Sequence, residues 1–167
     1  MHYADDLVYT VRRSATHLRR VSETDAARRP GPTAWSPKEI IGHLIDSASN
    51  NHQRFVRAAW QDDLVFLGYE QDAWVSRQQY QEAPWAELLD LWLAFNLHIS
   101  RVMRAVPESV RLRAHDRHNL DDLASRAPGP GQPATLDYFM DDYVFHLKHH
   151  LHQLEALGVL PSGVADG

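Results

Sequence analysis

Apolar residues recur at helical spacing in four long segments of the chain, and no segment between them alternates as a half-buried strand would. The pattern predicts helices over about 5–21, 37–60, 84–106 and 135–157. A chain of 167 residues suits one domain, and the sequence contains no linker or internal repeat that would divide it. The sequence therefore predicts a single all-α domain over residues 1–167, built as a four-helix bundle.

The second segment has the clearest helix start in the chain. Ser36 can cap it, Pro37 occupies the first helical position, and Glu39 follows the cap by three residues. Trp35 and Ile40 are spaced for a hydrophobic staple across the same turn. These signals fix where the helix begins and therefore which of its side chains share a face.

The connections between the helices differ in length. Residues 61–83 mix aromatic and turn-forming residues, which predicts irregular structure. Residues 107–133 end in "APGPGQP", where Pro and Gly oppose regular structure, and a connection this long is usually functional or disordered. The last helix ends before Gly158, a normal C-cap residue, and we expect the tail from about 159 to be loose.

Composition narrows the classes of function. The net charge of −5 provides no basic field for nucleic acid. No segment approaches the ~20 apolar residues that span a bilayer, and the first turns lack the apolar core of a signal peptide. The chain has no cysteine, which excludes disulfides and thiolate ligands. We expect a cytoplasmic protein with neither a nucleic-acid nor a membrane partner.

Histidine is abundant, with 11 in the chain, and residues 145–154, "FHLKHHLHQL", contain four of them. On a helical wheel His150 falls within the apolar stripe and His146 lies on its flank, whereas His149 and His152 point outward. The inward pair has i, i+4 spacing, by which one helix presents two imidazoles to one ion. The spacing alone fits two hydrogen-bonded core histidines equally well.

A third histidine lies on the predicted second helix. His43 flanks the apolar stripe of that helix, and packing this stripe against the last helix would bring it toward His146 and His150. Three imidazoles leave a coordination position open, as catalytic rather than structural metal sites do. They suit zinc, nickel, copper or iron(II).

These segments resemble the DinB/YfiT-like family of metalloenzymes. "WSPKEIIGHLIDS" resembles the W-S-x-x-E-x-x-x-H-L segment of the family, with His43 in the ligand position. "FHLKHHLHQL" resembles its H-x-x-x-H segment, with His146 and His150 as ligands and His149 as a neighbour that does not bind. "GYEQDAWV", residues 68–75, resembles the aromatic–acidic segment between its second and third helices.

The resemblance covers most of the chain and implies a four-helix bundle with long crossover connections. It implies a site for zinc, nickel or a similar divalent ion, and a homodimer. Some members of the family are implicated in transferring low-molecular-weight thiols such as bacillithiol or mycothiol, and others are suspected hydrolases. The expected partner is therefore a small-molecule substrate, with a low-molecular-weight thiol as one candidate.

Three functions follow as hypotheses. The first is a metal-dependent, thiol-dependent S-transferase, whose pocket should contain arginine or lysine for the carboxylates of the thiol. The second is a metal-dependent hydrolase of small amides or esters, which needs a carboxylate near the metal as general base. The third is a non-catalytic protein that binds metal or a small molecule.

Four polar residues near the histidines in sequence are candidates for supporting roles. Asp142 lies four residues before His146 and can orient that imidazole. Asp46 can do the same for His43 on the second helix. Ser47 and Asn50 lie about one and two turns after the histidine of the second helix and can line a pocket. The alternative for all four is an ordinary solvated position.

Overall fold

Four long helices form the body of the protein in the computed structural model, which describes residues 2–166. They are α1 (Tyr3–Leu18), α3 (Pro37–Ala58), α5 (Trp85–Ala105) and α8 (Leu136–Ala156). The connections carry the short helices α2 (Glu23–Ala26), α4 (Gln71–Arg77), α6 (Glu108–Arg111) and α7 (Leu120–Leu123), and a 3-10 turn at Tyr80–Glu82. The predicted all-α four-helix bundle is confirmed.

The helix α3 begins where the sequence predicts, and a complete capping box holds its first turn. The Ser36 hydroxyl accepts a hydrogen bond from the Glu39 amide at 3.3 Å, and the Glu39 carboxylate accepts one from the Ser36 amide at 2.8 Å. The guanidinium of Arg29 also pairs with Glu39. A helix start that satisfies its own donors can be buried without leaving unpaired amides.

The first half of α3 is the most enclosed part of the bundle. Every residue from 36 to 48 is buried, because α3 contacts α5 and α8 on one side and α2, α4 and the 3-10 turn on the other. The helix α1 packs against α5 and α8 and completes the bundle. Side chains in this half of α3 therefore face protein in every direction.

The connection at 61–83 is more regular than the sequence indicates, since it contains α4 and the 3-10 turn. The 3-10 turn packs onto α3 where Gly42 leaves space for the ring of Tyr80. The Tyr80 hydroxyl donates to the Asp46 carboxylate at 2.6 Å. Periodicity did not reveal these elements because each is shorter than the window in which an apolar repeat can be recognised.

The long connection at 107–133 contains α6 and α7 and is tied to other parts of the chain. Isolated β-bridges join His115 to Ala134 and Leu64 to His118. These bridges are the only β pairing among the described residues, and they form no strand. The predicted irregular course is therefore held in place by backbone hydrogen bonds.

The tail after α8 differs from the sequence-based expectation of a loose segment. Leu160, Val164 and Ala165 are buried in the core cluster. The Ala165 amide donates to the Glu155 carboxylate at 2.9 Å, which ties the tail back to α8. Within residues 2–166, no helix has both the length and the apolar character needed to cross a membrane.

The contact between Gly42 and Tyr80 gives a test of the fold. A Cβ added at Gly42 would lie 2.1 Å from Cδ2 of Tyr80. Alanine favours a helix over glycine by up to about 1 kcal/mol, but overpacking typically costs about 1–3 kcal/mol. We expect Gly42→Ala to lower the free energy of unfolding by about 1–2 kcal/mol in urea denaturation.

Gly31→Ala is the matched control, because a Cβ at Gly31 meets no atom within 4 Å. Its free energy of unfolding should stay within about 0.5 kcal/mol of the wild type. If Gly42→Ala were as stable as the wild type, the ring of Tyr80 would not occupy this place.

Candidate metal site

The helices α3 and α8 bring three histidines together inside the bundle. The Nε2 atom of His146 lies 3.1 Å from Nε2 of His150 and 3.3 Å from Nε2 of His43. One ring nitrogen from each histidine lies within 4.8 Å of the other two. The sequence predicts these three residues as metal ligands, and the structure places them around one point.

Burial keeps the three imidazoles neutral. The pKa of His43 is lowered to about 3, mainly by burial and to a smaller extent by the nearby ring of His150. Burial lowers the pKa of His146 to about 2, with smaller effects from the neighbouring histidines. Burial also lowers the pKa of His150. Near neutral pH these rings therefore present lone pairs, the form in which histidine binds a metal.

A hydrogen bond from outside the cluster sets the orientation of one ring. Nδ1 of His150 lies 3.0 Å from the side-chain oxygen of Gln153. Because an amide oxygen only accepts, Nδ1 carries the proton and Nε2 keeps its lone pair for the cluster. Nδ1 of His146 lies 3.5 Å from the Ser47 hydroxyl, which can donate or accept in this longer contact.

The donor set fits a divalent transition metal ion. Three neutral nitrogens converge, and the structure gives Nδ1 of His43 no hydrogen-bond partner among the described residues. An Nε2 lone pair pointed at two other ring nitrogens gains little from them, whereas an ion bound by all three would give each Nε2 a partner and leave only Nδ1 of His43 without one. The residues present therefore suit an imidazole-bound ion such as zinc or nickel.

Trp35 covers one side of the cluster. Its ring centroid lies 5.0 Å from that of His43 and 6.5 Å from that of His150. The indole therefore packs over two of the three imidazoles at the start of α3. This apolar cover limits water on that side and lowers the local dielectric.

A cleft with a volume of about 620 Å³ opens on the side of His146. Ser47, Asn51 and Arg54 of α3 line it, together with Tyr69 from the connection after α3. Its volume falls within the range of small-molecule sites. Of the three clustered histidines, His146 forms part of its wall.

Ser47 and Asn50, two of the three predicted supporting residues on α3, have different surroundings in the structure. Ser47 contacts His146 and lines the cleft. The amide of Asn50 instead donates to the Asp46 carbonyl one turn earlier at 2.9 Å. The asparagine that lines the cleft is Asn51, so the prediction for Asn50 is off by one position.

The two carboxylates have roles other than orienting an imidazole. Asp142 lines the cleft, but its oxygens accept from the backbone amides of Ser125 at 2.8 Å and Arg126 at 2.9 Å. Asp46 accepts from the hydroxyl of Tyr80, and burial raises its pKa. Both carboxylates hold connecting segments against the bundle.

Sequence reasoning missed two residues. Gln153 follows His150 by three positions, the spacing at which helical side chains meet, so that distance was a usable signal. Arg54 lies in the cleft, and its sequence neighbours give no sign that it is buried. Its burial depends on the segment after α3 folding back over it.

A comparison that spans most of the chain identifies its family. The family model of the DinB superfamily matches residues 6–154. The chain belongs to the DinB superfamily. The predicted resemblance is thereby confirmed, and the match spans both helices that carry the three histidines of this DinB superfamily protein.

A solved structure of low sequence identity has the same fold. YfiT from Bacillus subtilis, described as a probable metal-dependent hydrolase with an unusual four-helix bundle topology, aligns with a TM-score of 0.75 and 17% identity. The alignment covers 93% of this chain and 83% of that chain. A search of curated proteins finds no significant match.

The lowered pKa values predict how stability depends on pH in metal-free protein. An unfolded-state histidine titrates near pH 6.5, whereas His43 and His146 titrate at about 3 and about 2 in the folded state. Below pH 6.5 protons therefore bind the unfolded chain preferentially, and the stability present above that pH is lost as the pH falls. Each histidine should contribute a loss of about 2 kcal/mol between pH 7 and 5.

Urea denaturation at the two pH values measures this loss. His43→Gln should remove the share of one histidine from this loss. A wild-type free energy of unfolding that is flat over this range would contradict the burial of neutral imidazoles.

Gln153 gives a second prediction. Gln153→Leu removes the acceptor for Nδ1 of His150, so we expect metal affinity to fall about 10-fold or more. Competition with a chromophoric chelator measures the change. Gln53→Leu on the exposed face of α3 is the control and should leave the affinity unchanged. Equal metal affinities in the wild type and both variants would show that Gln153 does not contribute to metal binding.

Proposed function

We propose that this protein is a metal-dependent enzyme in which His43, His146 and His150 hold a divalent ion, zinc or nickel, beside a cleft for a small molecule. The observation that carries the proposal is the convergence of three neutral imidazoles, two of them buried and one in the cleft wall, from two helices. Three protein ligands are typical of catalytic ions because one position stays available to a reactant.

The ion, when bound, supplies Lewis-acid chemistry that lowers the pKa of a coordinated thiol or water. The three imidazoles are neutral ligands, so they leave the site positively charged and favour an anionic nucleophile. Gln153 fixes the ring of His150, and Trp35 limits water on the side away from the cleft. Gln153 thus orients the site, and Trp35 shields it from water on one side.

We infer that the reaction is a thiol-dependent S-transfer. The chain contains no cysteine, so the sulfur would come from a co-substrate. In the transfer the thiol loses its proton to solvent, its sulfur forms a bond to an electrophilic carbon, and the leaving group departs with the bonding electron pair. A thiol that carries a carboxylate would need a cation in the cleft to bind that carboxylate, and the buried Arg54 is such a cation.

The state of the carboxylates also favours a thiol over water. Hydrolysis needs a general base beside the reactants. Within residues 2–166, no carboxylate forms a hydrogen bond or ion pair with the three histidines. Asp142 is occupied by the amides of the connecting segment.

Hydrolysis of a small amide or ester is the second candidate. Two observations favour it: YfiT, which shares the fold, is described as a probable metal-dependent hydrolase, and Glu70 and Asp122 line the cleft as exposed carboxylates. Either could serve as a base if a substrate reached between it and the imidazoles.

Metal content tests the first part of the proposal. Protein purified without a polyhistidine tag should contain about one divalent ion per chain by elemental analysis. His150→Ala should lose the ion because it removes one of the three nitrogens, and His149→Ala should keep it because that ring is exposed. The proposal fails if His150→Ala retains the metal or if the wild type cannot be loaded.

Activity separates the candidate functions. Metal-loaded wild type should consume free thiol when given a low-molecular-weight thiol and an alkylating electrophile, and His150→Ala should not. Release of acid from an ester or amide panel without thiol would instead identify a hydrolase. A protein that binds metal but supports neither reaction would be a non-catalytic binder.

A further inference from the structure

Arg54 is a buried cation that has no carboxylate at ion-pair distance in the part of the chain that the structure describes. Its exposed fraction is 6%, and it lines the cleft. Several arginines elsewhere pair with carboxylates, as Arg29 does with Glu39 and Arg126 with Asp141. Within residues 2–166, no carboxylate lies within ion-pair distance of Arg54. A buried charge without a partner is costly, so this guanidinium needs an explanation.

Its contacts within the protein are neutral. One terminal nitrogen donates to the Leu67 carbonyl at 2.7 Å, and the other donates to the side-chain oxygen of Asn51 at 3.3 Å. These two bonds position the guanidinium but leave its charge uncompensated. Burial lowers the pKa of Arg54, yet arginine remains protonated in proteins.

A purely structural role does not account for the choice of arginine. The bond to the Leu67 carbonyl tethers the segment after α3, and one neutral donor would be enough for that. Arginine adds a fixed fork of donors that matches a planar oxyanion. Since the side chain lines the cleft, the remaining donors are placed to meet a ligand there.

The position of Arg54 along α3 sets a distance from the metal ligands. Ser47, Asn51 and Arg54 are spaced i, i+4 and i+7, and all three line the cleft. Seven residues of helix rise roughly 10 Å, and the bond to Asn51 draws the guanidinium back by up to one turn. An anion on Arg54 would therefore lie roughly 5–10 Å along the cleft from His146.

The rest of the cleft favours a single negative charge. Glu70, Asp122 and Asp142 also line it, and their carboxylates would repel a dianion more strongly than a monoanion. A carboxylate matches both the planar fork of the guanidinium and this limit on charge. A phosphate can also bind the guanidinium fork, but its dianion exceeds this limit on charge.

We propose that Arg54 is the carboxylate-binding residue of this cleft, and that the site takes a small molecule whose carboxylate lies roughly 5–10 Å from its reacting atom. The part of the inference that concerns the reacting atom rests on the proposed function, which is a reaction at a metal ion held by the three histidines. The part that concerns the carboxylate depends only on its binding to Arg54, which can be measured in metal-free protein.

Metal-free protein tests the carboxylate end. Hexanoate, hexanol and inorganic phosphate are titrated separately into wild type, with binding followed through the NMR signal of the Arg54 side-chain Nε–H. Hexanoate should bind about tenfold more tightly than hexanol, because the charge-assisted bonds form only with the acid. Wild type with no preference for hexanoate, or with tighter binding of phosphate, would overturn the proposal.

Variants assign the preference to Arg54, with binding followed by backbone amide shifts in the cleft. Arg54→Gln should abolish the preference, and Arg54→Lys should retain part of it through its charge. Arg57→Gln, an exposed arginine almost one turn further along α3, is the matched control and should keep the full preference. A folded Arg54→Gln protein that still prefers hexanoate would refute the assignment. If Arg54→Gln does not fold, Arg54→Lys and the wild-type titrations decide.

Metal-loaded protein then tests the distance. Among mercaptopropionate, mercaptohexanoate and mercaptoundecanoate, the middle length should gain the most affinity on loading, and Arg54→Lys should reduce that gain about tenfold. If metal-free protein binds hexanoate but loading adds nothing for any thiol, the proposed thiol chemistry fails and the carboxylate site stands. If loading strengthens all thiols equally, whatever the length, the proposed distance is wrong.

Discussion

The burial of the first half of α3 is the constraint on which the rest of the structure depends. A helix enclosed from residue 36 to residue 48 must satisfy its own first amides, and the capping box of Ser36 and Glu39 does so. With that turn fixed, the helical repeat determines where His43 points. The same register carries Ser47 and Arg54 into the cleft, so one helix start positions both ends of the candidate site.

The site uses burial in two opposite ways. Around His43 and His146 it lowers the pKa values and keeps the rings neutral, which is the form in which an imidazole can bind a metal. Around Arg54 the same burial leaves a charge that cannot be neutralised by deprotonation. A neutral donor cluster and an uncompensated cation thus share one cleft. Such a pair stabilises the folded protein poorly, and the proposed bipartite ligand would contact both of its members.

Most of the fold and the three clustered histidines could be predicted from the sequence because both depend on local periodicity. The wheel separated His150 from His149, since neighbouring positions on a helix differ by roughly 100°. It did not assign Asp142, whose partners come from a connection 16 and 17 residues away. The same limit hid Arg54, which is buried by a segment with no periodic pattern. Contacts made by irregular segments have no sequence repeat from which to read them.

The packed tail bears on how α8 opens from its end. Helix termini fray first, and His150 and its partner Gln153 lie within two turns of the last residue of α8, whereas His146 lies deeper. Val164 and Ala165 are buried, and Asp166 pairs with His152, so fraying must first detach the tail. If the three histidines hold an ion, the packing of this tail would influence which of them is released first. The lifetime of a bound ion would be set in part by the last few residues of the chain.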